Sequence, residues 1–219
     1  MSRRVPVLPT ILVALAVLAM IGLGIWQYRR ALQKEAALAV WQANTRLPAT
    51  AYPAQNPSDE SLLFRHLSAN CLRVVGWQTL GGRDAAGQPG WRHIASCATG
   101  AEGPGFLVDV GVSLKPDATV AWTGGPVRGV ATHEPDERPW LERFGRHAAP
   151  LRLMIVAEAA APGLRPSAPP DPSSVPNNHR SYMVQWFAFA CIALVIYGLA
   201  LRKRWRDGAE APPADGGKP

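Results

Sequence analysis

The chain has 219 residues, 47% hydrophobic and 18% charged, a size and balance that fit one domain with appendages, while 21 Pro and 20 Gly argue against an all-helical body. Its net charge of +7 is divided rather than striped: residues 1–27 hold +2 from Arg3 and Arg4, and residues 181–219 hold +2 from five cations against three acids. The remaining +3 is dispersed among acids with no basic, aromatic-studded stripe, so nucleic acid is not an expected partner.

In chain order, residues 1–4 precede an uncharged run from Val5 to Trp26, 22 residues long. A hydrocarbon core about 30 Å thick needs about 20 residues of helix, so 5–26 is read as a transmembrane helix. Pro6 and Pro9 fall in its first turns, where a missing N–H does least harm. A cleaved signal peptide competes, because "ALAVLA" contains Ala-x-Ala matches; the apolar run outlasts a signal core of roughly 7–15 residues, which favours an anchor. Residues 27–47 read as the same helix leaving the membrane, with Gln27, Arg30 and Lys34 on one face.

A short helix is expected at 58–67. From residue 71 the pattern turns to short β-like runs at 71–79, 91–97, 105–114, 119–130 and 151–159, divided by Gly and Pro. "LGGRDAAGQPG" reads as a long, flexible hairpin loop. Residues 27–161 are therefore assigned to a small, antiparallel β-rich domain or barrel. Six prolines between 162 and 176 predict an extended, unpacked tether over 162–180. A second uncharged run, Ser181 to Leu201, is the second transmembrane helix. The basic tail 202–219 opens on "RKRWR" and is expected to be disordered from Asp207. Because Lys and Arg collect on cytoplasmic flanks, "RKRWR" places both termini in the cytoplasm and the central domain outside. The expected class is an α+β membrane protein: two transmembrane helices flanking an extracytoplasmic β-rich domain.

Of three cysteines, Cys191 lies in the second span and reads as packing. Cys71 opens one β run and Cys97 closes the next, so a hairpin brings them together in an oxidising compartment; a Cys71–Cys97 disulfide is expected, against two separate buried thiols. No enzyme constellation stands out: there is no Gly-x-Ser-x-Gly, His-Glu-x-x-His, Walker loop or Cys-x-x-Cys. His66, His93, His133 and His147 are scattered and read as ordinary surface or strand residues; Asp109, in an apolar strand, lacks a second carboxylate. What remains is polar and aromatic material at the membrane edges: Trp26, Gln27, Arg30 and Lys34 after the first span, and Asn177, Asn178, His179, Tyr182 and Trp186 at the second.

At these residues the sequence resembles the surfeit locus protein family, the assembly factors of cytochrome c oxidase. The family's Gly-x-Trp-Gln-x-x-Arg-x-x-x-Lys is matched by Gly24, Trp26, Gln27, Arg30 and Lys34, and its Asn-Asn-His-x-x-Tyr by Asn177, Asn178, His179 and Tyr182, with Trp186 and Phe187 following. Its Gly-rich strand is kept only at Val108 and Gly111. The resemblance implies a non-enzymatic role in maturing the oxidase, presenting or stabilising haem a. His179 is then the axial ligand to haem iron, Trp26, Tyr182 and Trp186 lie against the porphyrin and its tail, and Arg30 and Lys34 pair with the propionates. The partners it suggests are the oxidase catalytic subunit, haem a synthase and the lipid bilayer. With no targeting extension ahead of the first span, a bacterial inner membrane is the expected location, with the central domain periplasmic. Two alternatives stand beside this: a scaffold that grips the oxidase subunit without haem, and a periplasmic ligand-binding module.

Overall fold

The computed structural model describes residues 5–100, 105–139 and 149–210. They form two compact units. A helical unit takes the chain up to Ala36 and again from Pro176, and a β unit takes Ala37–Val175.

The helical unit is built on α1 (Val7–Asn44) and α2 (His179–Glu210), two helices long and apolar enough to cross a membrane. Both outrun the apolar runs that identify them. α1 continues through the expected exit helix to Asn44, and α2 continues to Glu210, so residues 207–210 are helix rather than disordered tail. The tail beyond Glu210 lies outside the described residues. Their large apolar side chains, among them Leu8, Leu12, Leu15, Ile192, Val195 and Leu199, mostly point outward, as lipid-facing residues do. Where the helices meet, small residues of α1 face larger ones of α2. A Cβ on Gly24 would lie 2.7 Å from the Phe187 ring, so glycine is what lets the ring close on α1. Nearer the other end, the Thr10 and Tyr197 hydroxyls are hydrogen-bonded across the pair.

The β unit carries a seven-stranded sheet in the order β1-β2-β6-β7-β5-β4-β3. Its strands are β1 (Thr50–Ala51), β2 (His66–Cys71), β3 (Arg73–Arg83), β4 (Pro89–Ala98), β5 (Phe106–Ser113), β6 (Gly125–His133) and β7 (Leu153–Ala157). The β-rich expectation holds, but the sheet is mixed: β1 pairs parallel with β2, and β5 with β7. The central strands β5 and β7 are buried on both faces, as their largely apolar sequences require, with Asp109 the one charged residue among them. Tyr52, Leu63, Phe64, Leu67, Phe106, Val108, Leu153 and Ile155 fill the larger core on one face. Ile94, Met154 and Val156, with Leu80 and Leu107, fill a smaller one. In place of the helix expected at 58–67 there is a single 3₁₀ turn, Glu60–Leu62. Phe64 then takes a positive φ of 62°, a conformation no right-handed helix continues through, and turns the chain into β2.

The Cys71–Cys97 disulfide is present, with Cα atoms 5.1 Å apart. The expected hairpin is present, β3 pairing antiparallel with β4 and Val74 lying opposite Cys97 at its outer end. Cys71 closes β2 rather than opening β3, and only Leu72 separates those two strands although β2 and β3 lie near opposite ends of the sheet. The sheet must therefore roll until its ends approach, and Leu72 N–H donates to the Ala98 carbonyl at 3.0 Å beside the disulfide. Closing a 26-residue separation in this way is worth about 3 kcal/mol.

Two further expectations are corrected. The "LGGRDAAGQPG" loop is mostly strand, with only Asp84–Gln88 in the turn. Its tip is pinned rather than flexible: Asp84 Oδ1 accepts from Ala86 and Gln88 N–H, and Gly87 supplies the positive φ of 80°. The proline-rich segment is not an unpacked tether over its first half. Residues 161–168 are strapped to the sheet, with Ala161 N–H donating to Val110, Arg165 exchanging hydrogen bonds with Val112, and Ala168 N–H donating to Arg83. The non-proline residues between the prolines supply these donors. Gly111, with φ 134° and only 2.8 Å between a would-be Cβ and the Arg165 carbonyl, leaves room for the strap.

Candidate functional site

Several of the β unit's titratable groups are committed to its architecture. Asp109 is fully buried on β5; Oδ2 accepts from Arg92 Nε at 2.7 Å, and Oδ1 from Ser167 Oγ at 2.7 Å and Gly111 N–H at 3.0 Å. The lone strand carboxylate is thus the knot that fastens β4, β5 and the strap. His93 Nε2 lies 2.8 Å from Ser113 Oγ, whose proton goes to the Lys115 carbonyl at 2.5 Å, so the histidine donates and the serine hydroxyl is spent. Burial pushes the His93 imidazole below the ordinary histidine range, and the Asp109 charge only partly opposes this. His66 pairs with Glu158 at 2.6 Å, and His133 lies 3.9 Å from Glu60. His147 lies outside the described residues.

The residues singled out at the membrane edges fall in the helical unit. Asn178 stands just before α2, its carbonyl accepting from Tyr182 N–H, so His179 occupies the first turn. His179 Nδ1 lies 2.7 Å from Gln27 Oε1 on α1, a contact between residues 152 apart in sequence. The neighbouring Arg180 makes a two-pronged ion pair with Glu35, Nε to Oε1 at 2.6 Å and Nη2 to Oε2 at 2.9 Å. That hydrogen-bonded guanidinium holds the Glu35 carboxyl below its usual range. Among the described residues, His179 Nε2 has no partner, and Asn177 Oδ1 is buried without one.

Gln27 and Lys34 are half-buried on one stripe of α1 with buried Ala31 between them. Arg30 sits off that stripe. It is exposed, lies over the Trp26 ring at 5.9 Å and donates to Gln33 Oε1 at 3.3 Å. Trp26 and Tyr182 are each 49% exposed, and Trp186 is half-buried and packs edge-on against Phe189. Among the described residues, no ring pair joins Trp26 to Tyr182 or Trp186. The fold thus joins His179 to Gln27 and leaves the expected aromatics as separate, largely outward-facing groups. Sequence reasoning missed Glu35 and Arg180 as a pair. Nothing local signals an ion pair across 145 residues.

Two spanning helices joined toward both ends by polar side chains, with a β unit between them in sequence, define a two-span membrane protein with a central β domain. The chain belongs to the SURF1 family, whose model matches residues 14–191. It is 27% identical over 229 residues to a SURF1-like protein of Monosiga brevicollis, covering 88% of this chain and 87% of that one. The SURF1 family is a family of cytochrome c oxidase assembly factors.

Proposed function

We propose that the protein holds haem a at the outer face of a bacterial inner membrane while the haem-copper subunit of cytochrome c oxidase is matured. The observation that carries this reading is the state of His179: one ring nitrogen is committed to the other helix and the second has no partner among the described residues. Imidazole is the usual protein ligand to haem iron. The residues around it suit such a group. Asn177 Oδ1 is a buried acceptor awaiting a donor, and Trp26, Tyr182 and Trp186 offer aromatic surface beside the polar end of the span. Arg30 and Lys34 supply positive charge on α1 suited to propionates.

In this reading both termini are cytoplasmic, the β unit is periplasmic, haem a synthase is the source and the oxidase catalytic subunit the recipient. Haem a supplies the electron-transfer chemistry that the mature oxidase uses. This chain's residues only bind, orient and shield. His179 holds, the aromatics cover, and the cations on α1 set the polar edge. Supporting the topology are the four cations of 202–206 at the end of α2 and the disulfide in the β unit, which belongs in an oxidising compartment.

Purified full-length protein in detergent, loaded with haem a, should show a haem absorption band that His179→Ala removes. A His179→Ala protein that keeps full occupancy overturns the ligand assignment. If wild-type protein takes up no haem, yet deleting its gene abolishes mature oxidase, the haem-free scaffold replaces this reading.

A further inference from the structure

Among the described residues His179 has a single side-chain partner, and it comes from the other helix. Oε1 of an amide accepts and cannot donate, so the hydrogen in the 2.7 Å contact sits on His179 Nδ1. In a neutral imidazole the lone pair is then on Nε2. An unpartnered histidine in the first turn of a helix would interchange tautomers and turn about its side-chain bonds. The amide removes both freedoms.

The two helices hold this contact in place from either side. Arg180, next to His179, is clamped by both oxygens of Glu35. Two turns further along α2, Phe187 closes over Gly24, less than one turn before Gln27 on α1. α2 cannot roll without breaking one or the other, so His179 is presented to Gln27 in one orientation.

We infer that Gln27 is the positioning residue of this site: by accepting from Nδ1 it holds the His179 ring with Nε2 as the lone-pair nitrogen, directed away from α1. The inference rests on the haem reading above. A neutral amide is also the gentler acceptor. A carboxylate behind an imidazole makes it a stronger donor to a metal, whereas an amide fixes direction while adding little basicity. That suits a ligand that must let go.

The test uses full-length protein in detergent with ring-15N-labelled histidine, haem a as the probe, and two variants. Gln27→Met keeps the length and loses the acceptor; Gln27→Glu keeps the acceptor and adds charge. In haem-free wild type, the 15N signals that disappear in His179→Ala should report hydrogen on Nδ1. Gln27→Met should move them toward the Nε2–H form and weaken haem a binding roughly 10–100-fold. Gln27→Glu should recover binding and lower the reduction potential of the bound haem. If wild type binds haem a and Gln27→Met matches it in both tautomer and affinity, the positioning role is overturned and the haem reading stands. A Gln27→Glu protein that folds but binds no better than Gln27→Met overturns the positioning role as well. If wild type shows the expected tautomer but binds no haem a, the haem reading fails, and this inference falls with it.

Discussion

The same residue types do opposite things in the two units. In the β unit Phe106, Leu67, Ile94, Leu153 and Ile155 are all less than 2% exposed, and removing their surface from water drives the fold. In the helical unit Leu8, Leu12, Leu15 and Leu199 face outward, because the surroundings there are as apolar as the side chains. Burial of leucine therefore contributes little to pairing α1 with α2. A glycine under a phenyl ring and a few polar contacts set that pairing: Thr10 to Tyr197, Gln27 to His179 and Glu35 to Arg180. A sheet with many mutually supporting contacts can lose one at the rim. A helix pair specified by so few has its register and its candidate site written in the same residues.

This contrast can be broken most sharply at Asp109. Asp109→Ala leaves Arg92 without its partner and frees the strap at Ser167, so the β unit should lose about 3 kcal/mol or more, read from its urea midpoint in full-length protein. The α1–α2 contact should be untouched, as judged by cross-linking a Thr10→Cys, Tyr197→Cys double variant in the membrane. Loss of both together would show that the units do not behave independently.

The reverse experiment is Gly24→Leu. Even a bare Cβ there would sit 2.7 Å from Phe187, so the larger side chain should push the helices apart at a cost of about 1–3 kcal/mol to their pairing. Cross-linking between positions 10 and 197 should fall while the β unit's urea midpoint stays where it was. Gly24→Ala should fall between, since the far edge of a phenyl ring can swing aside.

Acid gives the smallest effect. The Arg180 hydrogen bond lowers the folded-state carboxyl of Glu35 below its ordinary 4.5, so the pair's contribution is complete above that value. It is lost as pH falls through the lower, folded value. Because Arg180 is exposed and Glu35 only half-buried, the change should be slight and further reduced by salt. Glu35→Gln should remove that pH dependence of cross-linking altogether, and a pH response that survives the substitution would assign it to another group.

Periodicity and chemistry made much of this readable beforehand. Both spans follow from uncharged runs of bilayer length, and the β runs from Gly and Pro punctuation around β-branched stretches. What misled was local composition. Six prolines suggested a free tether, but the residues between them still carry N–H groups, and β5 and the end of β3 took them up. "SDESLLFRHL" has helical spacing, yet Phe64 turns left-handed to reach Ala131, because tertiary pairing outweighs a short helix's weak preference. At the candidate site, His179 and Gln27 stood out individually, but their bond did not, and Glu35 did not stand out at all.

The amino-acid order by itself determined the two spans, the β-rich character of the segment between them and the polar groups at the spans' edges. These depend on residue type and spacing along one stretch of chain. Only the tertiary structure decided that Cys71 ends β2 rather than opening β3, that Asp109 ties the strap to the sheet, and that His179 faces Gln27 while Arg180 faces Glu35. Those pairings join residues far apart in sequence. Their geometry comes from how whole elements pack, which no local pattern encodes.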